Sequence, residues 1–135
     1  MTVRPRHDWH LDLRDREMSF IRIDHQTWLH FGDTVVVIGC PFTLKVDGRT
    51  VVLDEPRDLG PLLAQYPDTL TTATVDEDAT LRLSFSRGWT IDVPPDPHYG
   101  AWQIQGPGRN LAVCPPDGGT LSVWTDDADP ILPST

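Results

Sequence analysis

Leu81-Arg82-Leu83-Ser84-Phe85, then Ser86-Arg87-Gly88, then Trp89-Thr90-Ile91-Asp92-Val93: this stretch decides the fold. Apolar residues stand at every second position on both sides of a glycine turn, so each run puts its greasy side chains on one face of a strand. The device recurs downstream. Trp102 and Ile104 alternate with Gln103 and Gln105 before Gly106-Pro107-Gly108, and Leu111 and Val113 precede a Pro-Pro-Asp-Gly-Gly turn at 115–119 that Leu121 and Val123 follow. Residues 80–124 therefore read as an antiparallel sheet built from hairpins.

Working outward, the upstream half has the same character. Trp9, Leu11 and Leu13 suggest a first short strand, and residues 20–24 and 27–31 suggest two more about a tight connection at His25-Gln26. Residues 34–38 form a continuous β-branched run, expected to be buried on both faces. Asp47-Gly48, between Leu44-Lys45-Val46 and Thr50-Val51-Val52-Leu53, is the best two-residue hairpin signal in the chain. One helix is expected, with Leu59, Leu62, Leu63 and Tyr66 on one face, Pro61 in its first turn and Pro67 as its stop. The 44–53 and 83–93 hairpins also resemble each other, as a duplication or simply as two hairpins.

The predicted architecture is mainly β: an antiparallel β-sandwich or rolled, partly open barrel of about nine or ten short strands with one short helix. The expected interior comprises Leu44, Val46, Val51, Leu53, Leu81, Leu83, Phe85, Ile91, Val93, Trp102, Ile104, Val113, Leu121 and Val123. The chain of 135 residues with 39% hydrophobic content suits one domain. Its expected limits are 9–124, after a frayed N-terminus at 1–8 and before an acidic, disordered tail at 125–135.

The net charge of −9 is uneven. Residues 1–53 carry seven acidic and seven basic groups, residues 54–97 nine against three, and residues 98–135 four against one. An acidic surface repels phosphate backbones, so no nucleic-acid partner is expected; it suits solubility, or a basic protein. No run approaches the ~20 apolar residues of a membrane helix, and the charged start lacks a signal-peptide pattern. A soluble cytoplasmic protein is the expectation. Cys40 and Cys114 read as buried thiols rather than a bridge.

Chemical motifs are sparse. His7, Asp8, His10 and Asp12 form the densest set of potential metal ligands, but a solvated polar face explains them better, and no metal or cofactor is expected. Asp24-His25 and His30 lie near a predicted hairpin, but neighbouring strand residues point to opposite faces, which argues against an oriented base, and nothing near Cys40 in sequence would lower its pKa. Asp76-Glu77-Asp78 lacks the glycine and distal carboxylate of a calcium loop. The most unusual segment runs from Pro94-Pro95-Asp96-Pro97 to His98, Tyr99 and Trp102. Rigid amphipathic rings on a proline-stiffened loop suit partner recognition, and equally a loop folded back over the sheet. His98, Tyr99 and Trp102 are the candidate binding residues.

Several of these stretches together carry a resemblance. Pro41-Phe42-Thr43-Leu44 with Asp47-Gly48, Leu59-Gly60-Pro61-Leu62-Leu63, Thr80-Leu81-Arg82-Leu83-Ser84-Phe85, and the series Val93-Pro94-Pro95-Asp96, Tyr99, Ala101-Trp102, Gly106-Pro107-Gly108, Val113-Cys114 and Gly118-Gly119 to Val123-Trp124 resemble a small uncharacterised actinobacterial family, a domain of unknown function. The resemblance spans residues 17–124 and implies no activity or cofactor. The leading functional expectation is a non-enzymatic protein-binding module, in one version an immunity-type protein covering a basic partner. The alternative is a small-molecule-binding barrel or enzyme with a site near the 94–102 loop. A homodimer formed through edge strands is a third possibility.

Overall fold

The computed structural model describes residues 2–3, 9–10, 16–23, 26–54, 59–76, 78–96, 100–106, 111–114 and 121–124. Fourteen strands and one short helix follow in order: β1 (Thr2–Val3), β2 (Trp9–His10), β3 (Arg16–Glu17), β4 (Phe20–Ile23), β5 (Thr27–Phe31), β6 (Thr34–Ile38), β7 (Phe42–Val46), β8 (Arg49–Leu53), α1 (Gly60–Leu63), β9 (Thr69–Val75), β10 (Leu81–Phe85), β11 (Thr90–Val93), β12 (Trp102–Gln105), β13 (Leu111–Cys114) and β14 (Leu121–Trp124). They form two antiparallel sheets. One runs β1-β14-β13-β12-β6-β5-β4; the other runs β2-β9-β10-β11-β7-β8, with β3 also paired to β9. Neither path closes, so the molecule is a sandwich-like, mainly β fold rather than a closed barrel.

The two sheets share one core because alternate residues of both point inward. Leu29, Phe31, Val36, Ile38, Trp102, Ile104 and Cys114 come from the first sheet, and Leu44, Leu53, Leu81, Leu83, Phe85, Ile91 and Val93 from the second. Every residue of the expected interior whose side chain is described is buried or packed partly buried against this cluster. The side chains of Val113, Leu121 and Val123 lie outside the described residues. Phe31 stacks on Phe85 with centroids 6.3 Å apart, and Phe85 stacks on Trp89 at 3.8 Å, so aromatic contacts tie the sheets together at one end.

Turns follow the chemistry of their residues. Asp47 and Gly48 both have positive φ, at 51° and 75°, which closes the β7–β8 hairpin as a primed two-residue turn. Strand β6 is buried at Thr34, Val36, Val37 and Ile38 and half-buried only at Val35, as expected for a central strand.

Strands β1 and β3 lie outside the expected elements, and two further features depart from them. The helix is a single turn, with Leu59 and Leu62 inside while Leu63 and Tyr66 are 48% and 40% exposed. Tyr66 instead donates its hydroxyl to the Ser19 carbonyl at 2.6 Å. In addition, β9 is the longest strand of the fold and was not anticipated. Its register with β10 skips Thr71, so Leu70, Ala73 and Val75 face the core at an irregular spacing. That bulge erases the period-two signal.

Candidate functional site

Three connections meet at one end of the sandwich. Residues 39–41 carry the chain from β6 to β7, residues 94–101 carry it from β11 back to β12, and residues 76–80 join β9 to β10. Their backbones are close. Gly39 donates its N–H to the Ala101 carbonyl at 2.9 Å, and Ala101 donates to the Cys114 carbonyl at 3.2 Å. A Cβ on Gly39 would stand 2.8 Å from the Gly100 oxygen, so only glycine permits this approach.

Trp102, one of the candidate binding residues, lies inside. It is 2% exposed, and its indole N–H donates to the Ala79 carbonyl at 3.0 Å. The ring thus braces the 76–80 turn from within and offers no surface to a partner. His98 and Tyr99 lie outside the described residues.

Cys40 Sγ lies 3.4, 3.7 and 3.6 Å from the carbonyl oxygens of Pro41, Pro94 and Ala101, three acceptors around one S–H. Burial first, then the charges of Asp96 and Cys114, push its thiol up to about 12. Burial pushes Cys114 up to about 11. Neither cysteine is in a disulfide. Neither is a thiolate at neutral pH, which removes the property a nucleophilic cysteine needs.

Asp76 and Asp78 of the acidic run belong to a structured turn. Asp76 and Asp78 each direct Oδ1 at the Thr80 N–H, at 3.0 and 3.3 Å. Burial and the hydrogen-bonded Asp78 carboxylate hold Asp76 above the usual carboxylate range, while the bond from Asp76 pulls Asp78 below it. The two acids therefore share a proton more readily than isolated carboxylates would. Among the described residues no group of three or more His, Cys, Asp or Glu is arranged to hold a metal ion.

Acidic residues gather at this end of the sandwich. Asp54 follows β8, Asp76 and Asp78 lie in the β9–β10 turn, and Asp96 follows β11, all at this end by the strand registers. Among the described residues of these connections there is no lysine or arginine. Arg49 and Arg87 sit at the opposite end, in the β7–β8 and β10–β11 hairpins. Lys45 and Arg82, on the strands between, bridge Asp92 at 3.2 and 2.9 Å. On the other sheet Arg22 lies over the Trp28 ring, 4.9 Å from its centroid, and burial together with that guanidinium lowers the His30 pKa.

The most heavily bonded group is at the opposite end, and sequence reading passed it over. Asp68 is buried beside the β10–β11 turn. Its carboxylate accepts from Ser86 Oγ, from Thr69 N at 2.6 Å, from Arg87 N and Nε at 3.2 Å each, and from Trp89 Nε1 at 2.7 Å. Burial alone would raise its pKa, but these donors outweigh it and hold the carboxyl well below the usual range. Arg87 Nη2 also reaches the carbonyls of Gln65 and Pro67. A carboxylate this saturated is a structural clamp on the turn rather than a base. The Tyr66-Pro67-Asp68 turn was its only sequence signal.

The fold and this end define a class: a two-sheet antiparallel sandwich whose connections at one end are closely packed, acidic and free of activated nucleophiles among the described residues. The chain belongs to the Family of unknown function (DUF6188), whose profile matches residues 9–125. No curated protein and no solved structure matches it significantly. No helix among the described residues is long and apolar enough to cross a membrane.

Proposed function

We propose that the domain is a non-enzymatic protein-binding module whose acidic end docks on a basic protein, as an immunity-type protein would cover a cationic surface. The observation that carries this reading is the gathering of Asp54, Asp76, Asp78 and Asp96 at one end, with the described arginines of the hairpin turns at the other. Such a cluster of carboxylates steers a cationic partner to one face and raises its association rate. The inactive thiols and the saturated Asp68 support a binding rather than a catalytic role. His98 and Tyr99 belong to the same 94–101 connection, and in this reading they supply aromatic contacts around which the carboxylates orient the partner.

The test is capture from lysate of the source cell with the tagged full chain, at low and at high salt, beside a variant carrying Asp54→Asn, Asp78→Asn and Asp96→Asn. A stoichiometric basic partner should be held at low salt, released at high salt and weakened by the triple variant. A partner indifferent to both changes would overturn the electrostatic reading. A clean single band under every condition would move the weight to the ligand-binding alternative, which a thermal-shift screen with metals and metabolites then addresses.

A further inference from the structure

We infer that a second copy of the chain pairs antiparallel along strand β8, joining two β7–β8 hairpins into one continuous sheet. This goes beyond the docking of a basic protein and uses a sheet edge that shares only Asp54 with the docking end. Among the described residues β8 has a single hydrogen-bonded neighbour, β7. Its side chains run exposed, exposed, half-buried, exposed and buried, and Val52 is 65% exposed, more than any other large apolar residue described. Open edges are normally blunted by proline, a bulge or a central charge. Strand β8 has none of these between Arg49 and Asp54. The edge at β4, by contrast, carries Arg22 within the strand.

The hairpin register fixes which groups face outward. The two-residue turn closes with Val46 opposite Arg49, the pair whose carbonyl and N–H bond across a β-turn. Bonded and non-bonded pairs then alternate, so Arg49, Val51 and Leu53 spend their backbone groups on β7. Thr50, Val52 and Asp54 aim theirs at the open edge. A twofold axis normal to the sheet keeps paired residues on one face, which permits Val52 to sit opposite the partner's Val52. That register puts Thr50 opposite the partner's Asp54 twice over, and all three pairs are of the type that exchanges two backbone bonds.

The side chains suit the same register. Two exposed valines cover each other on the axis, the Thr50 hydroxyl meets a carboxylate on either side, and Val51 lies opposite the partner's Leu53. Charge near the edge is mixed: Arg49 offsets Asp47, Lys45 bridges Asp92, and Asp54 stays acidic. A chain with net charge −9 nevertheless repels its copy at long range, so salt should tighten this association. Docking of a basic protein should weaken under the same change, which keeps the two readings separable.

The test is sedimentation equilibrium on the untagged full chain over a wide concentration range, with amide hydrogen exchange on the associated sample. Twice the chain mass of 15.1 kDa is expected, with slow exchange at Thr50, Val52 and Asp54. Val52→Pro removes a donor that β7 does not use, and should raise the dimer Kd by about ten- to a hundredfold. Val52→Lys, on an exposed face, should also give monomer with an unchanged circular dichroism spectrum. A monomer at every concentration would overturn the inference. So would a dimer whose Thr50, Val52 and Asp54 amides exchange freely, a result that stands even if the variants fail to fold.

Discussion

Replacing Asp68 by Asn removes a charge but keeps one acceptor, and the expected cost is about 2–3 kcal/mol at neutral pH, because buried N–H donors lose their carboxylate. The pH dependence has a definite sign. The folded state holds this carboxyl below its ordinary 3.8, so its contribution is complete above that value and fades as pH falls through the lower folded one. Urea melts of the wild type and Asp68→Asn should therefore lie apart at pH 7 and converge below about pH 4. A constant gap down to pH 2 would contradict the clamp. The thiols give a second test at this scale. With Cys40 pushed up to about 12 and Cys114 to about 11, alkylation at pH 8 should be slower in the folded protein than in urea. A difference of roughly a hundredfold or more is expected from the thiolate fractions alone.

At the scale of elements, the short helix separates two adjacent leucines. Leu62 is fully buried, so Leu62→Ala should cost about 2–5 kcal/mol, whereas the exposed Leu63→Ala should fall within about 0.5 kcal/mol of wild type. The spacing of Leu59, Leu62, Leu63 and Tyr66 matched a longer helix, yet one turn leaves half of that face in solvent. Gly39→Ala tests the junction of β6 with the 94–101 connection. Its new Cβ would press on the Gly100 carbonyl, which is backbone and yields only by moving the chain, so about 1–3 kcal/mol should be lost in thermal or chemical melts. The hairpins at 47–48 and 86–88 were legible because glycine and alternation are local signals. Strand β9 was not, because its bulge at Thr71 is defined by the partner strand that skips it.

Across the whole molecule, Trp102 is a brace between sheets, from β12 to the turn before β10. Trp102→Phe keeps most of the ring but strips the donor from the Ala79 carbonyl, and should cost about 1–3 kcal/mol in chemical unfolding while leaving partner capture intact. Loss of capture with unchanged stability would instead make the ring a contact residue. The mainly β class, the hairpin turns at 47–48 and 86–88, the alternating core residues Leu44, Leu53, Leu81, Leu83, Phe85, Ile91, Val93, Trp102 and Ile104 and the acidity of the later two thirds were determined by the sequence, since alternation, glycine turns and charge are properties of a few neighbouring residues. The union of β3 and β4 with different sheets, the Asp68 clamp, the bond from the Trp102 indole to the Ala79 carbonyl and the gathering of Asp54, Asp76, Asp78 and Asp96 at one end were decided only by tertiary structure. Each of these joins residues far apart in the chain, and packing two sheets face to face is what brings them within reach of one another.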